Sequence, residues 1–213
     1  MRRTKITYEP NYMGHPIMAD FDEGYGCSLE MLGRILNVCE WYVGRHSKAY
    51  FFRMDLRFPD VYPITLASDN ALFKRFAANY VLALKRSKFS PLYVWAREQA
   101  SSPHHHYHLA LWLDGSKTQS PHNHLIKAEN LWASALSINS GTGLIHGCGS
   151  GVMLKRDSPD FKTQFDKIYH WCSYLTKIST KGRAPFRIRE YGCSQVFPIT
   201  SSLAPHPPLE GQQ

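Results

Sequence analysis

The chain has 213 residues, a formal net charge of +8 and 43% hydrophobic residues. That length fits one domain with or without an N-terminal extension, and the apolar content excludes a disordered chain. The basic surplus favours a polyanionic partner. No run of 18 apolar residues and no apolar signal core occur, so the expectation is a soluble cytoplasmic protein with no membrane partner. The five cysteines, Cys27, Cys39, Cys148, Cys172 and Cys193, are odd in number and lack a C-x-x-C spacing, which points to reduced thiols.

Residues 1–27 carry Pro10, Pro16 and several glycines and read as an irregular arm. Ser28 is placed to cap a helix over LEMLGRILNVCEWYV, with Leu29, Leu32, Ile35, Leu36 and Cys39 on one face. YFFRMDLRFP alternates as a strand does. Phe52, Met54, Leu56 and Phe58 share one face, and Phe51, Arg53, Asp55 and Arg57 the other. A helix over NALFKRFAANYVLALKR follows. Then come strands LYVWAREQ and HYHLALWLD, joined by a short loop, and a helix over 124–138. GTGLIHGCGSGVMLK matches no phosphate-binding glycine loop and reads as a twisted strand with a bulge or turn. The helix FKTQFDKIYHWCSYLTK, a last strand near FRIREYGCS and a loose tail from Pro198 complete the chain. The expected class is α+β: a central antiparallel sheet of about five strands with flanking helices. The expected divisions are an arm and helix over 1–45, a main domain over 46–197 and a flexible tail over 198–213.

The stretch HHHYH, residues 104–108, opens the third strand. His104 and His105 sit at a loop tip and are expected to be exposed and inert. His106 and His108 share one face of the strand, and Tyr107, Leu109, Leu111 and Leu113 the other. Two imidazoles about 7 Å apart along a strand can close on one ion. A hairpin would bring Glu98 alongside them, and two histidines with one carboxylate leave coordination positions open for substrate. Such a mixed ligand set suits manganese, magnesium, zinc or iron. In the last helix, His170, Tyr174, Lys177 and Lys181 form a cationic stripe opposite Phe161, Phe165, Ile168, Cys172 and Leu175. A tyrosine one turn from a lysine is a candidate nucleophile aimed at phosphate. Tyr169 lacks a lysine three residues later.

His106-Tyr107-His108 resembles the histidine–hydrophobic–histidine motif of the HUH endonucleases, and Tyr174-Leu175-Thr176-Lys177 resembles their Y-x-x-K motif. With YFFRMDLRFP, YVWAREQ, HYHLALWLDG and EYGCS in the same order, the chain over roughly 49–197 resembles the replication initiators of filamentous phages and prophages, the inovirus type. The resemblance implies a sequence-specific nicking and joining enzyme for single-stranded DNA, acting at a replication origin through a 5′-phosphotyrosine and starting rolling-circle replication in a bacterial host. Tyr174 would be the nucleophile and Lys177 its charge partner. His106, His108 and Glu98 would hold Mn2+ or Mg2+, with Asp55 orienting a histidine. Arg53, Arg57, Arg97 and Lys181 would contact DNA, while Trp95 and Trp112 are better placed in the core. No ATPase motif is visible, so a host helicase and polymerase would be partners. Rival readings are an HUH transposase or relaxase, a two-histidine, one-carboxylate iron oxygenase, and a DNA-binding regulator without catalysis. Most relaxases place the tyrosine upstream of the histidines, unlike this chain.

Overall fold

The computed structural model describes residues 5–99 and 102–196; the tail expected from 198 onward lies outside them. The N-terminal segment is more ordered in pattern than an irregular arm. It forms short strands β1 (Ile6–Thr7), β2 (Asn11–Tyr12), β3 (His15–Pro16) and β4 (Cys27–Ser28), with β1 paired to β4 and β2 to β3. Ser28 caps helix α1 (Leu29–Arg45) by accepting the Met31 N–H at 3.4 Å.

Next come β5 (Lys48–Leu56), α2 (Ala71–Arg86), β6 (Leu92–Glu98), β7 (His106–Asp114) and α3 (His122–Leu136). They are followed by β8 (Ile145–Gly147), β9 (Val152–Lys155), α4 (Phe161–Ser173) and β10 (Tyr191–Cys193). The fold is α+β. Its main sheet has six antiparallel strands in the order β10-β6-β7-β5-β8, with β9 also paired to β5. The glycine-rich segment makes two short strands end to end along β5, separated by a turn over residues 148–151. Gly149 and Gly151 in that turn have φ of +81° and +83°, and a Cβ on Gly151 would stand 2.7 Å from the Phe51 carbonyl oxygen.

Strand alternation divides the molecule into two cores. On the back face, Phe52, Met54, Leu56, Tyr107, Leu109, Leu111 and Leu113 pack against α2 and α3. On the front face, Phe51, Val94, Ala96, Ala110, Trp112 and Val152 pack against α1 and α4. Trp112 is 1% exposed and Phe51 fully buried; burying such a side chain contributes about 1.5–3 kcal/mol. Helix α1 shares this front core with the sheet, so the first 45 residues supply one of its covering layers. The front face turns polar at one end, where β6 finishes and β7 begins.

Candidate metal centre beside a tyrosine–lysine turn

Register builds the polar end. Pairing of β6 with β7 sets Glu98 opposite His106, and pairing of β5 with β7 sets Asp55 opposite His108. All four side chains emerge on the front face. Ligand atoms of Glu98, His106 and His108 lie within 4.8 Å of one another. The two histidine Nε2 atoms are 3.1 Å apart, and His108 Nε2 is 3.4 Å from Glu98 Oε2. Metal–nitrogen bonds of about 2.0–2.1 Å at right angles place neighbouring nitrogens about 3 Å apart, so the observed separation fits two ligands of one ion.

Asp55 Oδ1 accepts the His108 Nδ1–H at 2.5 Å. This bond fixes the tautomer that turns Nε2 towards Glu98 and His106, the usual support for a metal-binding imidazole. Burial alone would raise the carboxyl pKa values and lower that of His108. The hydrogen bonds among Asp55, His108 and Glu98, with Lys181 beside Glu98, outweigh it: both carboxyls fall below their usual range and His108 rises. His106 goes the other way, lowered by burial and by the neighbouring His108. The residues fit a divalent cation held by two nitrogens and an oxygen.

The nucleophile candidate stands against this cluster. Helix α4 ends at Ser173, and Tyr174–Thr176 tighten into a 3-10 turn. Ser173 Oγ donates to the His170 carbonyl, Thr176 Oγ1 to the Ser173 carbonyl and the Arg53 guanidinium to the Trp171 carbonyl. These side chains satisfy carbonyls that a helix end leaves open. In a 3-10 turn, residues three apart eclipse. Accordingly Lys177 Nζ donates to Tyr174 Oη at 3.3 Å. The Tyr174 ring meets the His108 ring edge-on with centroids 5.3 Å apart, and the Arg53 guanidinium lies 4.9 Å from the Tyr174 ring centre. Lys177 Nζ is also 3.9 Å from Glu98 Oε2.

The helical stripe expected through Lys181 therefore stops eight residues early. Lys181 still reaches the cluster, from the turn that follows. Its ammonium donates to Glu98 Oε1 at 2.9 Å and to the Lys177 carbonyl at 2.7 Å, and its side chain is 9% exposed. This lysine is engaged by the centre, not free for DNA. Arg97 is turned to the back face, buried, and bonded to Asn70 Oδ1 and the Ser68 carbonyl. Arg57 stays exposed just past β5, and Arg53 is taken up by α4 and Tyr174.

The expectation for His104 and His105 is overturned: they are 7% and 4% exposed. His104 Nε2 bonds the Tyr62 carbonyl at 2.7 Å, and His105 Nε2 bonds Tyr107 Oη at 2.9 Å. The loop folds back over Phe58, whose ring both imidazoles meet. Tyr169, the alternative tyrosine, is buried in the front core with its hydroxyl on the Leu32 carbonyl. Two neighbours carried no sequence signal. Cys148 lies against Asp55, its thiol pushed up to about 11 by burial and by that carboxylate, and Tyr25 has the Lys177 ammonium 5.9 Å from its ring centre.

The fold and this cluster define an α+β domain with a candidate metal centre beside a tyrosine–lysine turn. The family model for the YagK/YfjJ C-terminal domain matches residues 9–194, and the chain belongs to that family. No curated protein and no solved structure matches the chain. Among the described residues no helix is long and apolar enough to cross a membrane.

Proposed function

We propose that this protein is a metal-dependent endonuclease that nicks and rejoins single-stranded DNA through Tyr174, and that it acts in rolling-circle replication of a phage or prophage element within a bacterial cell. One observation carries the reading: the Tyr174 hydroxyl is held by Lys177, with its ring edge-on to His108, beside three ligands gathered for one ion. An oxygenase would use the two histidines and the carboxylate but would leave the tyrosine–lysine turn without a task.

In the proposed reaction the Tyr174 hydroxyl releases its proton to solvent and its oxygen attacks a backbone phosphorus. The bond from phosphorus to the 3′ oxygen breaks, the 3′ oxygen leaves and takes up a proton from solvent, and the 5′ phosphate stays on the tyrosine. A divalent ion, Mn2+ or Mg2+, held by His106, His108 and Glu98 would polarise the phosphate. Asp55 holds His108 in the binding tautomer. Lys177 supplies positive charge to the attacking phenol oxygen, which is a weak acid and needs it. The linkage preserves the phosphodiester energy, so a returning 3′ hydroxyl can displace the tyrosine and reseal the strand. Origin recognition, a helicase and a polymerase are parts of the same proposal.

The test is a covalent complex. Incubation with Mn2+ and origin-region single strands from the element that encodes the protein should give a protein–DNA adduct resistant to denaturant, with peptide mapping placing DNA on Tyr174. Tyr174→Phe should abolish cleavage and adduct together while leaving fold and metal binding intact. Undiminished adduct in that variant, or DNA mapped to another tyrosine, sinks the assignment.

A further inference from the structure

A groove of about 1020 Å3 opens along the edge strand β10, between α1, the start of α2 and residues 187–196. Its wall carries Arg34, Lys74, Arg187 and Arg189 together with Trp95 and Tyr191. Two acids also line it, and both are already engaged. Asp69 Oδ1 accepts the Ala71 N–H at 2.7 Å, and the Glu190 carboxylate accepts backbone N–H groups of Gly182, Arg183 and Ala184 at 2.7–3.3 Å. Four cations thus face the groove against two occupied carboxylates.

The aromatic part of the wall is shaped as well. Trp95 lies over Gly192, where a Cβ would stand 2.6 Å from the indole nitrogen; any larger residue would push the indole aside. The Arg34 guanidinium lies 5.8 Å from the Tyr191 ring centre, and its ion pair with Glu30 is on the open surface, with both side chains more than half exposed. Solvent screens such a pair, so a phosphate can compete for the arginine. Arg187 has φ +67°, a conformation a non-glycine residue keeps only where its surroundings hold it.

The groove runs beside β6, the strand that ends in Glu98. The Gln99 N–H donates to the Thr180 carbonyl and the Arg97 N–H to the Glu190 carbonyl, extending the β10 pairing along β6 to the Glu98 end. Tyr191 pairs with Ala96, which shares the front face with Glu98 two residues on, about 7 Å along the strand. We infer that this groove binds single-stranded DNA flanking the phosphate cleaved at Tyr174, with the four cations tracking the backbone and the partly exposed Tyr191 ring offering a surface to a base. The inference rests on the nicking function proposed above.

Equilibrium binding separates the two claims. The probe is a fluorescein-labelled 20-residue oligothymidylate, read by anisotropy in EDTA, with a duplex of equal length as the second arm. Arg34→Ala, Lys74→Ala and Arg187→Ala combined remove three exposed cations. The expected result is at least a 10-fold weaker single-strand affinity and a salt slope shallower by about 2, since each lost phosphate contact on single strands is worth about 0.7. A charge-matched control, Lys85→Ala, Arg86→Ala and Lys88→Ala at the far end of α2, should lose far less. Equal losses in the two triple variants, or a duplex that binds as tightly and loses as much, overturn the groove. Loss confined to the groove variant in a protein that forms no adduct leaves the groove standing and removes the cleavage reading. Adduct formation with parental binding in the groove variant does the reverse.

Discussion

His104 and His105 lie on the back of the sheet and His106 and His108 on the front, although they occupy five consecutive positions with Tyr107. Burial does not separate the pairs: His105 is 4% exposed and His108 3%. Partners do. The back imidazoles meet a carbonyl, a phenol and the ring of Phe58, all neutral. The front imidazoles meet Asp55, Glu98 and each other. A buried histidine with neutral partners holds a loop down; one oriented by a carboxylate is ready for an ion. The same pleat turns Arg97 into a back-face clasp and Glu98, its neighbour in sequence, into a front-face ligand.

The largest effect should come from breaking the charge balance on the front. Lys181→Met leaves Glu98, with a side chain 1% exposed, without its hydrogen-bonded ammonium, and Lys177 is 3.9 Å away on the other carboxylate oxygen. Removing one partner of a buried pair costs about 3–5 kcal/mol, and urea unfolding in EDTA should show a loss of that order. Saturating Mn2+ should shrink the deficit, because the ion supplies positive charge to the same carboxylate. A deficit identical with and without Mn2+ would remove Glu98 from the ligand set.

Metal-linked stability then contrasts the imidazole pairs directly. At 100 times its dissociation constant, a ligand of the folded state stabilises by about 2.7 kcal/mol. His106→Ala and His108→Ala should lose that Mn2+-dependent gain. His105→Ala should keep it while being less stable at the outset by about 1–3 kcal/mol, because the Tyr107 hydroxyl loses a buried partner. Tyr107→Phe should fall in the same range, since its hydroxyl donates to Asn70 Oδ1 at 2.9 Å. If His105→Ala lost the Mn2+ response and His108→Ala retained it, the division of the run would be wrong.

Much of this was legible in the sequence because it follows from period. Alternation in YFFRMDLRFP assigned both sheet faces, and i, i+2 spacing put His106 and His108 together. Ser28 marked the start of α1. What was hidden depends on contacts distant in sequence. The burial of His104 and His105 is set by Phe58 and Tyr62, from another segment, which no local pattern at a loop tip reveals. Helix α4 stops at Ser173, where Arg53, from β5, takes the Trp171 carbonyl. Extrapolating the helical period past that point therefore placed Lys181 on a stripe rather than in a turn against Glu98. The glycine segment was readable as strand with a bulge or turn, and the turn falls over residues 148–151, where Gly149 and Gly151 both have positive φ.

The smallest effect is the back-face share of the pH dependence. Burial lowers the pKa of His105 to about 3 and that of His124 below its ordinary value. His124 is 5% exposed, stacked on Phe52 and bonded to Thr118 Oγ1. Both imidazoles therefore stay neutral in the folded chain at pH values where the unfolded chain, with histidines near 6.5, takes up protons. Stability rises with pH wherever the unfolded state binds more protons. The His105 contribution is thus complete above pH 6.5 and is lost as pH falls towards 3, about 2 kcal/mol of it by pH 5, and His124 acts in the same direction. The depressed carboxyls Asp55 and Glu98 act later: their contribution persists until pH falls below about 4, the range of unfolded carboxylates. Urea midpoints in EDTA at pH 7 and pH 5 sample the first window, in which the lowered His106 and the raised His108 of the front face also contribute, with opposite signs. The parent should weaken between them more than the double variant His105→Gln, His124→Gln, which carries no titrating group at either position. An equal pH 7 to pH 5 loss in both proteins would show that the back-face imidazoles are protonated in the folded state, and the neutral character assigned to that face would fail.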